Sequence, residues 1–297
     1  MYYRKLKLKK YGHMIKFFKK KTKNILMAKS SKSKKKTKNN DSKLIYIPFV
    51  ILAIVIGLFI ALPYVHSSNT PSSISSTQNN GPLFDLVKIS NVGYANTTQV
   101  YFISWYGCPY GATLSWPLYT ALQDYGNVSV VTHYSITEPD IDNGSQGVPG
   151  LIFTGFNSTS NVTFHFLYIY NQNLTATPSG VPLNNNAVSI GLQEIKDNEP
   201  YFVYNIIYQY EVNETLPGLL TPIAYGGHPP HIASALIITG PKGTWLLIGY
   251  PNPLTPNNLI SINNSSSQLL SEIKSGHVPS LINDIAKEII EAINEAQ

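Results

Sequence analysis

Cys108 is the one cysteine of the chain and the side chain best suited to covalent chemistry. It lies in the segment WYGCPYG, residues 105–111, where a hydrophobic run gives way to glycines and a proline. A thiol at the start of a helix ionises more readily, because the helix dipole and the free N–H groups stabilise the thiolate. A single cysteine excludes an intramolecular disulfide, a CxxC redox couple and a cysteine-rich zinc site. Any disulfide chemistry of Cys108 therefore needs a thiol from a second molecule.

The residues next to Cys108 are candidates for binding a ligand at the same turn. The predicted turn and its rim consist of Tyr106, Pro109, Tyr110 and Gly111. A second possible site is the segment HPPH, in which His228 and His231 have a spacing that suits two metal ligands. No cysteine or carboxylate lies nearby in the sequence to complete such a set, so we predict no metal site. No motif indicates a bound cofactor, and we expect none.

A strand, a helix and a second strand are predicted around this turn. Residues 100–105, VYFISW, are aromatic and β-branched, which predicts a buried strand. Residues 112–122 have leucines at helical spacing, and residues 127–134 alternate between apolar and polar side chains. The three elements predict a βαβ unit that places Cys108 at the N-terminus of its helix.

The C-terminal part of the chain is predicted to add a hairpin and two helices. Residues 235–238 and 244–250 are apolar runs separated by the turn TGPKG, which predicts a pair of strands. A helix is expected around residues 267–274. Residues 281–293 form an amphipathic helix, which we expect to pack on its own domain rather than on a neighbouring chain.

These segments resemble the thioredoxin-like superfamily, in which a strand leads into a WCxxC-type turn at the start of a helix. The tetrapeptide CPYG, residues 108–111, is similar to the CPYC of glutaredoxins, with Gly111 in place of the second cysteine. Pro117 resembles the mid-helix proline of that family, and the strand pair resembles its C-terminal hairpin. The resemblance implies an α/β, thioredoxin-like fold. It also implies a cis-proline beside the sulfur, for which Pro149 and Pro230 are the candidates.

The sequence also departs from the superfamily pattern. Gly111 removes the dithiol partner, and the strand at residues 100–105 lacks the buried acid that thioredoxins carry beneath the turn. Placing the hairpin at residues 235–250 leaves residues 138–226 as a large insertion. Specificity for a substrate or partner is expected to lie in that insertion.

The whole arrangement is similar to an uncharacterised archaeal family of membrane-anchored proteins, domain of unknown function 929. The resemblance rests on a lysine-rich arm, a single anchor and the segments WYGCPYGA and GPKGTWLLIGYPNP, and it covers residues 30–297. It implies a fold and a cell-surface location. It implies no established activity.

The distribution of charge divides the chain at a predicted membrane helix. Residues 1–43 hold 17 Lys and Arg with one acid, whereas the rest of the chain holds 5 basic and 15 acidic residues. Residues 44–65 are 22 consecutive residues without a charge, enough for one transmembrane helix. The positive-inside rule places the basic arm in the cytoplasm and the C-terminal domain, residues 83–297, outside the cell membrane. The run is longer than the apolar core of a cleavable signal peptide, which favours a retained single-pass anchor.

The outer part of the chain has the composition of a glycoprotein. Residues 66–82 are rich in Ser and Asn and predict a flexible linker to the domain. Only about 9% of the outer residues are charged and their net charge is negative, which argues against nucleic-acid binding. The sequons for N-glycosylation begin at Asn96, Asn127, Asn143, Asn157, Asn161, Asn173, Asn213, Asn263 and Asn264. Because carboxylates are neutral in strong acid and cannot solvate a surface, we expect an acidophilic archaeal envelope.

Two functions from different classes fit these features. The first is a cell-surface interaction or assembly module without catalysis, whose partners are the membrane and an envelope protein. The alternative is a monothiol thioredoxin-like oxidoreductase that uses Cys108 with an external thiol. The two differ in whether the Cys108 thiol ionises below pH 7.

Overall fold

The computed structural model describes residues 81–141 and 146–297. The basic arm, the predicted transmembrane helix, all but the last two residues of the predicted linker, and the sequon residue Asn143 lie outside the described residues. No helix within the described ranges is long and apolar enough to cross a bilayer.

The described residues form seven strands in two sheets. In chain order the strands are β1 (Val87–Ser90), β2 (Gln99–Ser104), β3 (Gly126–Tyr134), β4 (Pro149–Ser158), β5 (Thr163–Tyr168), β6 (Ala235–Gly240) and β7 (Gly243–Ile248). The main sheet has the order β1-β7-β6-β2-β5, in which β2 and β5 run parallel and the other neighbours run antiparallel. β3 and β4 form a separate antiparallel pair.

Six α-helices accompany these strands in the described part of the chain. They are α1 (Pro109–Leu122), α2 (Ala187–Asn198), α3 (Tyr201–Ile207), α4 (Pro256–Ile262), α5 (Ser266–Lys274) and α6 (Ser280–Ala296). A π-helical turn (Tyr208–Asn213) continues α3, and a 3-10 turn (Ile223–Tyr225) follows it. The mixture of one main sheet with helices confirms the α/β class.

The elements predicted around Cys108 are confirmed, but the pairing of one strand differs from the prediction. β2, α1 and β3 lie where the sequence predicts them, and the C-terminal strand pair and helices are β6, β7, α5 and α6. The expected βαβ unit is wrong in that β3 does not pair with β2. The physical reason is that β3 pairs with β4 instead, in an antiparallel ladder that uses every residue from Gly126 to Tyr134.

β5 takes the place that was expected for β3, as the parallel neighbour of β2. The crossover between these two strands therefore contains both α1 and the β3–β4 pair. Residues 138–226, for which an insertion is expected, include β5. That segment thus supplies a strand of the main sheet as well as helices α2 and α3.

Two apolar layers cover the two faces of the main sheet. On one face, Val100 and Phe102 of β2 pack with α1 and α6. On the other face, Tyr101 and Ile103 pack with α2 and α3. Successive residues of a strand point to opposite faces, so a strand that is covered on both sides is apolar throughout. The isoleucine stripe of α6 is buried in the first layer, which confirms that this helix packs on its own domain.

Gly150 of β4 allows the backbones of β4 and α1 to approach closely. A β-carbon at Gly150 would lie 2.6 Å from Cβ and 2.8 Å from Cα of Ala112. We expect Gly150→Ala to lower the free energy of unfolding by about 1 to 3 kcal/mol, because α1 has to move. Urea denaturation measures the change.

Gly155→Ala, in the same strand, is the matched control for this substitution. The atoms nearest to its added β-carbon lie 3.7 and 3.8 Å away on Ser129, which is ordinary van der Waals contact. Both substitutions reduce the freedom of the unfolded chain equally, so the difference between them reports the contact with α1. Equal stability of the two variants would contradict this interpretation.

Candidate functional site

Cys108 is the N-cap residue of α1. Its extended backbone ends the turn after β2, and Pro109 occupies the first helical position, where its fixed φ suits the helix and its missing N–H is not needed. The thiol acts as the capping acceptor, since the N–H of Gly111 donates to Cys108 Sγ at 3.3 Å. The predicted location of the sulfur, between a buried strand and the first turn of a helix, is confirmed.

Two serines enclose the sulfur from the side of the sheet. Ser234 Oγ donates to Cys108 Sγ at 3.0 Å, and Ser104 Oγ lies 2.8 Å from Ser234 Oγ. Ser104 ends β2, and Ser234 immediately precedes β6, so neighbouring strands of the sheet bring both hydroxyls beneath the turn. Cys108 is only 4% exposed. The thiol is therefore a buried, hydrogen-bonded group.

Burial raises the pKa of the Cys108 thiol, because the thiolate loses its hydration. The Ser234 hydroxyl and the N–H groups of Gly111, Tyr110 and Ser234 act in the opposite direction, since they stabilise the thiolate. Desolvation is the larger effect, so the thiol stays protonated at neutral pH. This environment differs from that of catalytic cysteines, which are partly exposed and have lowered pKa values.

Gly111 occupies the position of the second cysteine in a CxxC turn, and the two serines fill the space there. A β-carbon at Gly111 would lie 2.1 Å from Ser104 Oγ and 2.7 Å from Ser234 Oγ. Both distances are far below van der Waals contact. A side chain at this position and the pair of serine hydroxyls thus exclude each other.

The aromatic residues of the predicted rim have different surroundings. Tyr106 is half-buried and stacks on Tyr168, with ring centroids 4.7 Å apart. Tyr110 is 38% exposed and packs edge-to-face against Phe84 at 6.1 Å and Tyr250 at 5.1 Å. Phe84 and Tyr250 stack on each other at 4.2 Å. Tyr110 therefore presents a surface at the turn, whereas Tyr106 is mainly part of the core.

Neither candidate for the cis-proline has a cis peptide bond, so this prediction is wrong. The cis bonds of the described residues are His228–Pro229 and Asn252–Pro253. Pro149 begins β4, pairs with β3 and accepts a hydrogen bond from the indole of Trp116, which gives it a packing role. Pro230 is separated from the start of β6 by four residues. The residue that contacts the sulfur from this part of the chain is Ser234.

The two histidines of the HPPH segment do not form a metal centre with other residues of the described ranges. No group of three His, Cys, Asp or Glu side chains comes together there. His231 Nδ1 lies 2.7 Å from the Pro229 carbonyl oxygen, and its ring packs against the edge of Trp105 at 5.6 Å. His228 is exposed.

Glu211 is a functional candidate that the sequence analysis missed. It lies in the π-helical turn after α3 and is completely buried. Its Oε2 accepts the N–H of Ala233 at 2.7 Å, and its Oε1 finds no hydrogen-bond partner among the described residues. Burial raises the pKa of Glu211 to about 8. Because Ala233 precedes Ser234, this acid supports the segment that carries the serine beneath the thiol.

The sequon asparagines of the described residues are exposed, with one exception. Exposed are Asn96, Asn127, Asn157, Asn161, Asn173, Asn213 and Asn264. Asn263 is half-buried, its Nδ2 donates to the carboxylate of Glu272 at 3.2 Å, and its Oδ1 accepts the N–H of Ser265 at 2.9 Å. Of the two adjacent sequons, the geometry therefore favours the second as a glycan acceptor.

Comparison with known proteins gives a family but no characterised relative. No curated protein and no solved structure matches the chain. One family matches residues 85–295, a stretch that includes all seven strands and all the helices described above except the last residue of α6. Because this match covers well over half of the sequence, the chain belongs to the family described as Domain of unknown function (DUF929).

Proposed function

We propose that this protein is a cell-surface interaction or assembly module without catalysis, built on a thioredoxin-like domain that a single transmembrane helix holds outside the cell. The observation that carries this proposal is the burial of Cys108. The one sulfur of the chain is capped by Ser234 and by the N–H of Gly111, and its pKa is raised by desolvation. Such a thiol stabilises a turn and is poorly suited to attack a disulfide.

The thioredoxin-like assignment is supported by the order of the strands. β7, β6, β2 and β5 are neighbours, with β2 and β5 parallel and the β6–β7 pair antiparallel to β2. A cysteine begins the helix that follows β2, and the C-terminal helix α6 packs beside α1. These are the features that the resemblance implies for the fold and for its cysteine-bearing turn.

The membrane location is supported by the sequence and by the surface of the domain. The uncharged residues 44–65 follow a strongly basic arm, which favours a cytoplasmic N-terminus. Seven sequon asparagines on the domain are exposed and accessible to a glycosylation enzyme. A surface that relies on Asn, Ser, Thr and glycans for its polarity suits a protein of an archaeal envelope.

The alternative is a monothiol oxidoreductase that uses Cys108. Its support is the position of the thiol at the helix N-terminus, where backbone N–H groups and Ser234 stabilise a thiolate. Against it stand the burial of the sulfur and the occupation of the second cysteine position by serine hydroxyls. The assembly module is therefore the better supported function.

Substitution of the thiol distinguishes the two functions in the native membrane. We expect Cys108→Ser to leave the size and composition of the protein's assembly unchanged on native gels, with and without reductant. Serine keeps the capping interaction, since its hydroxyl accepts the Gly111 N–H. Loss of the assembly in the variant would overturn the proposal. A thiol–disulfide exchange activity that is measurable in the wild-type chain and absent from Cys108→Ser would favour the oxidoreductase instead.

A further inference from the structure

The loop at residues 215–225, TLPGLLTPIAY, is an uncharged and largely apolar projection of the domain. Leu220 is 100% exposed and Tyr225 is 47% exposed. No Asp, Glu, Lys or Arg occurs from residue 215 to residue 234, where the buried strand β6 follows, and the exposed Glu214 directly precedes the loop. Elsewhere the domain carries an excess of acids, such as Asp284, Glu291 and Glu295 on the outer side of α6. The loop therefore differs in charge from these acidic parts of the domain.

The loop is held firmly enough to keep its tip in solvent. Leu216 and Ala224, at its two ends, are buried in the apolar layer beneath α2 and α3. The N–H of Leu219 donates to the Leu216 carbonyl at 3.1 Å, and the N–H of His231 donates to the Ala224 carbonyl at 2.9 Å. Leu220 is thus exposed on an anchored turn, and the exposure of its apolar side chain to water is unfavourable.

The chain joins the domain beside this loop. The Cα of Gly81 lies so close to the loop that an added β-carbon would be 3.6 Å from Pro217 Cδ. The next residue, Pro82, is fixed to the main sheet, because its carbonyl accepts the N–H of Ile248 at 2.7 Å. Fifteen residues separate Gly81 from the predicted membrane span that ends at Val65, a distance of at most about 55 Å when fully extended.

We propose that the 215–225 loop docks into the interfacial layer of the bilayer to which the domain is tethered. The inference rests on the proposed membrane anchor. Leucine and tyrosine side chains favour this layer, and the absence of charge avoids the cost of dehydrating an ion there. The tether keeps the loop at a high effective concentration near the lipid, so the burial of a few side chains suffices for docking.

Docking gives the domain a defined orientation. The segment at residues 81–84 contacts the loop through Gly81, beside Pro217, and contacts the turn that carries Tyr110 through Phe84, whose ring packs on Tyr110 and Tyr250. This end of the domain then faces the lipid. The exposed sequon asparagine Asn213 lies two residues before the loop, so docking brings it close to the lipid, whereas Asn127 and Asn157 lie opposite each other in the β3–β4 pair.

Depth-dependent quenching in the full-length chain tests the docking. The chain carries Cys108→Ser and either Leu220→Cys or, as control, Thr154→Cys, an exposed residue of β4. Each new thiol is labelled with a fluorescent probe, and the chain is reconstituted into phosphatidylcholine vesicles with or without doxyl-labelled lipid. We expect strong quenching of the probe at residue 220 by doxyl lipid and little quenching at residue 154.

A second variant measures the contribution of the leucine. With the probe at Tyr225→Cys, adding Leu220→Asp is expected to lower the ratio of docked to undocked domains by about tenfold or more. Equal quenching at residues 220 and 154 would overturn the docking and leave the anchor intact. Loss of the chain from floated vesicles would overturn both. A probe at residue 220 shielded from doxyl lipid and from aqueous iodide would place another protein chain on the loop instead of lipid.

Discussion

Replacing Glu211 with glutamine is expected to reduce the loss of stability that burial of this acid causes as pH rises. The folded protein holds the proton of Glu211 until about pH 8, whereas the unfolded chain releases it near the ordinary 4.5. A raised carboxyl pKa stabilises the folded state fully below the unfolded pKa, and this contribution is lost as pH rises through the folded pKa. This difference in pKa corresponds to about 5 kcal/mol. Above about pH 8, Glu211→Gln should therefore unfold roughly 10 °C higher than the wild type.

The control for this substitution is Glu214→Gln, three residues further along the chain. Glu214 is exposed, and its replacement leaves the buried Glu211 in place, so this variant should still lose stability as pH rises. Thermal unfolding between about pH 4 and pH 9 measures both variants. A wild-type profile that is flat, or that Glu211→Gln does not change, would contradict the burial of an uncompensated acid at this position.

Adding a single methyl group at Gly111 is expected to lower the free energy of unfolding by about 1 to 3 kcal/mol. The new β-carbon would overlap Ser104 Oγ and Ser234 Oγ, at 2.1 and 2.7 Å. In an ordinary helical position the same change of Gly to Ala is stabilising, because alanine loses less backbone entropy on folding. The sign of the change in stability of Gly111→Ala, measured by denaturation with urea, is therefore informative.

Removal of the two hydroxyls is expected to rescue Gly111→Ala. In a Ser104→Ala, Ser234→Ala background the nearest remaining atom is Ser104 Cβ at 3.3 Å, which the site can accommodate. A double-mutant cycle between the glycine and the serine pair should thus give a coupling of more than about 1 kcal/mol. If Gly111→Ala destabilises the chain equally in both backgrounds, the serines are not the cause and the packing described here is wrong.

The local elements of this fold could be predicted from sequence, because their patterns are local. The apolar residues of β2, the leucine spacing of α1 and the isoleucine stripe of α6 each indicate one element. The partner of β2 could not be predicted in this way. β3 and β5 both have strand patterns and both expose some of their side chains, so neither segment alone identifies the neighbour of β2, which depends on the fold of the whole domain.

The candidate site could be predicted only in part, because some of its features depend on local sequence and others on long-range contacts. The place of Cys108 at a helix N-terminus follows from a short segment of sequence. Its contact with Ser234 joins residues 126 positions apart, and serines at the ends of strands have no pattern that marks them. The cis-proline candidates came from resemblance rather than from the chain's own packing, and the structure gives the place beside the sulfur to Ser234. Burial of Glu211 depends on a π-helical turn, which no local pattern indicates.

The buried acids and the charge-poor surface have a common consequence. Burial raises the pKa of Glu199 to about 7 and that of Glu211 to about 8. Both acids therefore favour the folded state more at low pH than at neutral pH, although the contribution of Glu199 is reduced by its contact with solvent. The domain carries few carboxylates, so its solubility depends little on their ionisation. We propose that the domain is adapted to acidic surroundings.

The rate of alkylation of Cys108 as a function of pH tests the central claim most directly. In the full-length chain, iodoacetamide should react slowly at neutral pH, and the rate should rise with an apparent pKa above the ordinary value of about 8.5, because the sulfur is buried and capped. A midpoint in the range of about 3.5 to 7.5 that is typical of catalytic thiols, with rapid reaction at neutral pH, would contradict a structural role for this cysteine.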